Sequence, residues 1–101
     1  DFTADVSKFI SENYMKEITL SSLSERYGEK SNRISYLFNK YLNVRPIDYL
    51  IQCRMSAAYR LLNEGLSVKE VSKKVGYNDE FYFSRLFKKS FGITPSKLKK
   101  G

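Results

Sequence analysis

The feature that most constrains this chain is an imperfect repeat of itself. Thr19, Leu23, Ser24 and Gly28 return 48 residues later as Ser67, Val71, Ser72 and Gly76. Ile34, Leu37, Phe38, Leu42, Val44 and Pro46 return 49 residues later as Phe83, Leu86, Phe87, Phe91, Ile93 and Pro95. One structural unit used twice leaves such a signature, and the change of offset puts an inserted residue in the second copy's turn. In each copy the apolar residues recur at three- and four-residue spacing, the period of a helix lying on a core. Each copy is therefore expected to hold two helices joined by a tight turn, a helix-turn-helix, with its second helix exposed on one side.

Capping residues and helix breakers set the boundaries of an all-α chain of seven helices. Thr3 can cap a first helix running to about Tyr14, with Val6, Phe9, Ile10 and Tyr14 facing inward. Thr19 can cap a short helix Leu20 to Tyr27, with Leu20, Leu23 and Tyr27 inward, before Gly28 makes the turn. The next helix, roughly Ser31 to Leu42, is expected to bury Ile34, Leu37, Phe38, Tyr41 and Leu42. Pro46 opens a long helix to about Asn63, stopped by Gly65, with Leu50, Met55, Ala58, Leu61 and Leu62 on its apolar side. In the second copy, Val68 to Val75 precedes a turn at Gly76. Asp79 then caps a helix to Phe91, which Gly92 ends, and Pro95 opens the last helix. The first helix-turn-helix thus lies at about 19–42, the linker helix at about 46–63 and the second helix-turn-helix at about 67–91, within one domain spanning 1–101. Small Ser24 and Ser72 are expected where the paired helices cross.

The side of each second helix opposite the core is polar and aromatic. In the second copy Phe81, Ser84, Arg85 and Lys88 share one stripe, and the repeat register makes Asn32, Ser35, Tyr36 and Asn39 the corresponding stripe of the first. From residue 66 onward eight Lys and one Arg face three acids, a net +6, whereas residues 1–65 carry nine basic and eight acidic groups, a net +1. A basic surface suits nucleic acid, an anionic membrane or an acidic protein. Duplex recognition needs cations at phosphates and donors or acceptors at base edges. The planar fork of Arg85 matches guanine O6 and N7, Asn32 can pair with adenine, and Ser35 and Ser84 can donate or accept at short range. Phe81 and Tyr36 suit a thymine methyl, with Phe81 folded back on the core as the alternative. Arg33, Asn39, Lys40, Lys73, Lys88, Lys89 and Lys97 are the phosphate candidates, with Lys74, Lys99 and Lys100 beside them. Glu80 reads either as an acceptor for cytosine N4 or as a favourable charge at a helix start.

The run Gly76, Tyr77, Asp79, Tyr82, Phe83, Ser84, Arg85, Phe87, Lys88, Lys89, Gly92, Thr94, Pro95 and Ser96 resembles the C-terminal signature of the AraC/XylS family of bacterial transcription regulators. The resemblance implies two recognition helices set by the linker helix into adjacent major grooves of double-stranded DNA. It implies the output domain of a regulator, an activator, with RNA polymerase as a further partner. The isolated domain is expected to be monomeric and the parent dimeric, and the parent is expected to carry a ligand pocket or, as in YesN-type response regulators, a receiver domain. The linker helix, at 18 residues, would span about 27 Å, against about 34 Å between successive groove faces. Arg54 stands where the family usually has an arginine, and either a structural ion pair or a phosphate contact fits it. The chain departs from the family at Phe81, where a small polar residue is usual. It departs again at Lys30, which cannot cap the first recognition helix, and at Asn43, which replaces a helix-ending Gly. The competing reading is a helical interaction module that docks an acidic protein such as RNA polymerase.

Enzyme classes fall away for want of residues. With no His and one Cys, the chain cannot build a zinc finger, a Ser-His-Asp triad or a Cys-His dyad. It has no paired-acid arrangement or Gly-rich phosphate loop, so neither catalysis, metal nor cofactor is expected. Cys53 reads as a small buried thiol in a reducing, cytoplasmic setting. No 18-residue apolar run is present, so no membrane partner is expected. The start at Asp1 without Met suggests excision from something longer.

Overall fold

In the computed structural model, which describes residues 1–100 apart from the Lys100 side chain, the helices are α1 (Phe2–Asn13), α2 (Leu20–Tyr27), α3 (Ser31–Leu42), α4 (Pro46–Asn63), α5 (Val68–Lys74), α6 (Glu80–Phe91) and α7 (Pro95–Lys100). No strand occurs among the described residues. The phosphate role expected of Lys100 lies outside the described residues. The chain divides into two compact units, Asp1–Cys53 and Arg54–Gly101, with the division falling inside α4.

The first unit is α1 to α3 with the opening turns of α4. Its core is Val6, Ile10, Ile18, Leu23, Ile34, Phe38 and Leu50, with Phe2, Phe9, Leu20, Tyr27 and Tyr49 packed around it. Asp1, not Thr3, caps α1: its carboxylate accepts from the Thr3 N–H at 3.2 Å, and Thr3 itself is buried. Thr19 caps α2 as expected and forms a reciprocal box with Ser22. At α3 the expected burial of Tyr41 and Leu42 does not hold, because they are 62% and 41% exposed. They occupy the last turn of α3, beyond the Ile34 and Phe38 pair that carries the packing.

The second unit buries Met55, Ala57, Ala58 and Leu62 of α4, Val71 and Val75, and Phe83 and Phe87 of α6. Phe91, expected in the same stripe, is 39% exposed and tilts against Tyr59 at 5.1 Å. Asp48, Gln52, Ser56 and Arg60 are exposed along α4, as the apolar stripe required. The Lys99 ammonium donates to the carbonyls of Gly65 and Leu66 at 2.8 and 2.7 Å. It satisfies backbone acceptors that follow the last turn of α4.

The repeat extends to the hydrogen bonds of the two turns. Ser24 and Glu29 are tied twice: the Glu29 N–H donates to the Ser24 carbonyl, and the Ser24 hydroxyl donates to the Glu29 carbonyl. Ser72 and Tyr77 repeat the pair, with the N–H bond at 2.9 Å and the hydroxyl bond at 3.0 Å. The serines are therefore retained for a hydroxyl that latches the turn as well as for small size. The inserted residue, Asn78, lies after this latch and before the α6 cap.

Candidate nucleic-acid interface

Each second helix is anchored on one side before it can present the other. In α6 the anchors are Phe83 and Phe87, both fully buried. The Asp79 carboxylate accepts from the N–H groups of Phe81 and Tyr82 at 2.9 and 3.3 Å, and Gly92 closes the helix at φ +80°. In α3 the anchors are Ile34 and Phe38, but Lys30 makes no side-chain cap, and Asn43 takes the left-handed turn at φ 56°. Two fully buried side chains stabilise by roughly 3 to 6 kcal/mol against about 1 for a missing cap, so α3 keeps its place without one.

On the side away from the α6 anchors, Phe81 is 74% exposed, Arg85 and Lys88 are exposed, and Ser84 is half-buried between them. Phe81 therefore does not fold back on the core. On α3 the corresponding row is Asn32 and Asn39, both exposed, Tyr36 at 61% exposure, and Ser35, half-buried. The half-buried serines occupy matching positions, Ser35 and Ser84, in the two copies. Glu80 is half-buried in the first turn of α6, where its charge favours the helix start.

The cation candidates divide by what already holds them. Lys73, Lys88, Lys89 and Lys97 are exposed, with Lys73 in the last turn of α5 and Lys88 and Lys89 in that of α6. Lys40 is exposed, and its ammonium lies 5.8 Å from the Tyr36 ring and 5.4 Å from the Tyr41 ring. Arg33 pairs with Glu29 at 3.5 Å, so a phosphate would have to displace a weak surface ion pair. Lys99 is committed to the α4 end. Arg54 is 8% exposed, and its guanidinium lies 4.8 Å from the Tyr77 ring centroid, a cation–π contact that the residue spacing did not reveal.

Three groups escaped the sequence reading. Arg45 lines a cleft of about 220 Å³ together with Ser35, Leu20, Pro46, Ile47 and Asp48, which puts an exposed cation beside the α3 row. Tyr41 stands exposed next to Lys40. Tyr82, 45% exposed, lies under Arg85, and its i, i+3 spacing was the available signal.

Burial pushes the Cys53 thiol up, with a Tyr49 hydrogen bond acting weakly the other way. That is the opposite of an activated thiolate. Cys53 is half-buried, less enclosed than expected. Burial also raises the Tyr49 phenol. Glu70 is held below the usual carboxylate range, first by the Ser67 backbone N–H and then by its hydroxyl, in the capping box of α5. Among the described residues no helix is long and apolar enough to cross a membrane.

A family model described as a helix-turn-helix domain matches residues 23–101. The uncharacterized HTH-type transcriptional regulator YdiP of Escherichia coli K12 is 37% identical over 93 residues, covering 91% of this chain and 31% of that protein. The C-terminal domain of the two-component response regulator yesN from Fusobacterium nucleatum superposes with a TM-score of 0.87 at 36% identity, covering 93% of each chain. The C-terminal domain of AraT, a response regulator from Geobacillus stearothermophilus, superposes with a TM-score of 0.92 at 27% identity, covering 97% of this chain and 83% of that one. The chain spans about a third of the length of the curated relatives it matches.

Proposed function

Because the chain belongs to the AraC/XylS family of helix-turn-helix regulators, we propose that residues 1–101 act as the sequence-specific, double-stranded-DNA-binding output domain of a bacterial transcription activator. The observation that carries this reading is α6, capped at both ends, anchored by two buried phenylalanines and presenting Phe81, Arg85 and Lys88 to solvent. Arg85 reads a guanine edge, Phe81 meets a thymine methyl, and Ser84 supplies a short polar contact. Asn32, Ser35 and Tyr36 do the same work from α3. Arg33, Asn39, Lys40, Lys73, Lys88, Lys89 and Lys97 take phosphates and fix the register.

The two recognition helices enter successive major grooves, a reading supported by the 18-residue length of α4, about 27 Å. The isolated domain is a monomer within a dimeric parent whose further domain carries the signal, a receiver domain being the form suggested by the response-regulator relatives. RNA polymerase is the second partner, and the setting is cytoplasmic. The domain itself has no catalytic role.

A salt titration tests the reading. Neutralising about six phosphates gives log affinity a slope near −5 against log salt on duplex DNA. A protein that bound RNA polymerase tightly and no duplex at all would instead be an interaction module.

A further inference from the structure

Arg85 is the outer end of a line in which cations and aromatic rings alternate. The inner end is Arg54 of α4, 8% exposed, with its guanidinium carbon 4.8 Å from the Tyr77 ring centroid. The Tyr77 ring meets the Tyr82 ring edge-to-face at 5.8 Å with an interplanar angle of 68°. The Arg85 guanidinium carbon then lies 5.7 Å from the Tyr82 centroid. Both cation spacings fall within the range in which a ring face attracts a guanidinium, and the ring pair is at the favoured edge-to-face separation.

The inner end is fixed from a second side. A Cβ at Gly76 would stand 2.9 Å from the Arg54 guanidinium, and Gly76 has φ +109°. Glycine there admits the buried arginine as well as the turn. Tyr77, half-buried, also packs on Phe83, one of the two α6 anchors, with centroids 6.0 Å apart. Rigidity therefore runs from the interior outward, from Arg54 through Tyr77 to Tyr82, and ends on a side chain that is exposed.

We propose that Tyr82 is a positioning residue for base reading, holding the Arg85 guanidinium against its ring so that the fork is oriented before DNA arrives. Tyr82 precedes Arg85 by one helical turn, so this contact draws the guanidinium toward the N-terminal half of α6. In helix-turn-helix proteins that is the end of the recognition helix that reaches base edges. An unheld arginine gives up rotamer freedom when it docks on guanine, whereas a pre-oriented one gives up less. The inference rests on the reading of Arg85 as a base contact.

The test uses a duplex selected from a random-sequence pool by the wild-type chain, and variants of it changed one base pair at a time. Arg85→Ala first identifies the base pair whose preference it abolishes. Tyr82→Leu should then lower preference at that same base pair by about two- to five-fold, leave the other positions unchanged and keep the thermal midpoint. Tyr82→Phe, which retains the ring, should restore the preference, and Tyr82→Leu should add nothing in an Arg85→Ala background.

If Arg85→Ala relaxes one base pair while Tyr82→Leu changes none, or weakens all sequences alike, the positioning role is wrong and the base contact stands. If Arg85→Ala changes no base preference, the base-contact reading itself fails. Should Tyr82→Leu not fold, the wild-type chain decides by nuclear Overhauser contacts between the Tyr82 ring and the Arg85 side chain. Their presence supports the arrangement and their absence overturns it.

Discussion

The two helix-turn-helix units share a scaffold and differ in what they put on it. Both latch the turn with a serine and the backbone five residues on, Ser24 with Glu29 and Ser72 with Tyr77. Both anchor the second helix through two buried side chains. The ends of that helix diverge: α6 has Asp79 and Gly92, whereas α3 has Lys30, whose side chain makes no cap, and Asn43. The exposed rows diverge more. Tyr36 stands in the register of Arg85 and Asn39 in that of Lys88. The lesson is that core and latch fix the unit, while the outer row and caps are free to vary, and the second unit carries the more cationic row.

Substitutions in matched pairs can break or sharpen this contrast. The largest effect should be shared: Phe38→Ala and Phe87→Ala, each removing a buried ring, should each lose about 3 to 5 kcal/mol in urea denaturation. A large loss at one and none at the other would mean that the scaffolds are not equivalent. The next should be unequal. Arg85→Ala should cost about 1 to 3 kcal/mol on the preferred duplex and relax one base position, with a smaller loss for Tyr36→Ala. A uniform loss on every sequence would move Arg85 to the phosphates. Third, Asp79→Ala should cost about 1 kcal/mol of stability and Lys30→Ser should gain about as much, read as opposite shifts in thermal midpoint.

The smallest effect separates the caps by pH. The α5 box uses Glu70, whereas the α2 box uses neutral Ser22. The Glu70 carboxyl is held below its ordinary range by the Ser67 N–H and hydroxyl. Its stabilisation is therefore complete above the unfolded carboxylate value of about 4.3 and is lost as pH falls through the lower folded value. The midpoint difference between the wild-type chain and Glu70→Gln should close on acidification. The matching difference for Ser22→Ala should stay constant.

Local chemistry made most of the fold legible. Thr19, Asp79, Gly28, Gly92 and Pro46 act within a turn of their own position, so their neighbours announce them, and the helices begin and end there. Legibility failed where a contact spans sequence. Lys99 reaches Gly65 and Leu66, and Arg54 reaches Tyr77, through tertiary packing that no spacing encodes. It failed also at helix ends, where periodicity continues but the core does not, so that Tyr41, Leu42 and Phe91 emerge. The outer rows were readable because helical geometry fixes which residues oppose the anchors. Arg45 was not, because it precedes a proline outside any helix and joins Ser35 only through the fold.

Selection of duplexes by the wild-type chain tests the central claim most directly, namely that both outer rows read bases and that the second reads more strongly. Enriched sequences should hold two short blocks of base preference about one helical turn apart. Arg85→Ala should erase part of the stronger block only, and Asn32→Ala part of the weaker. Enrichment of a single block, or of none while affinity for bulk duplex persists, would contradict it.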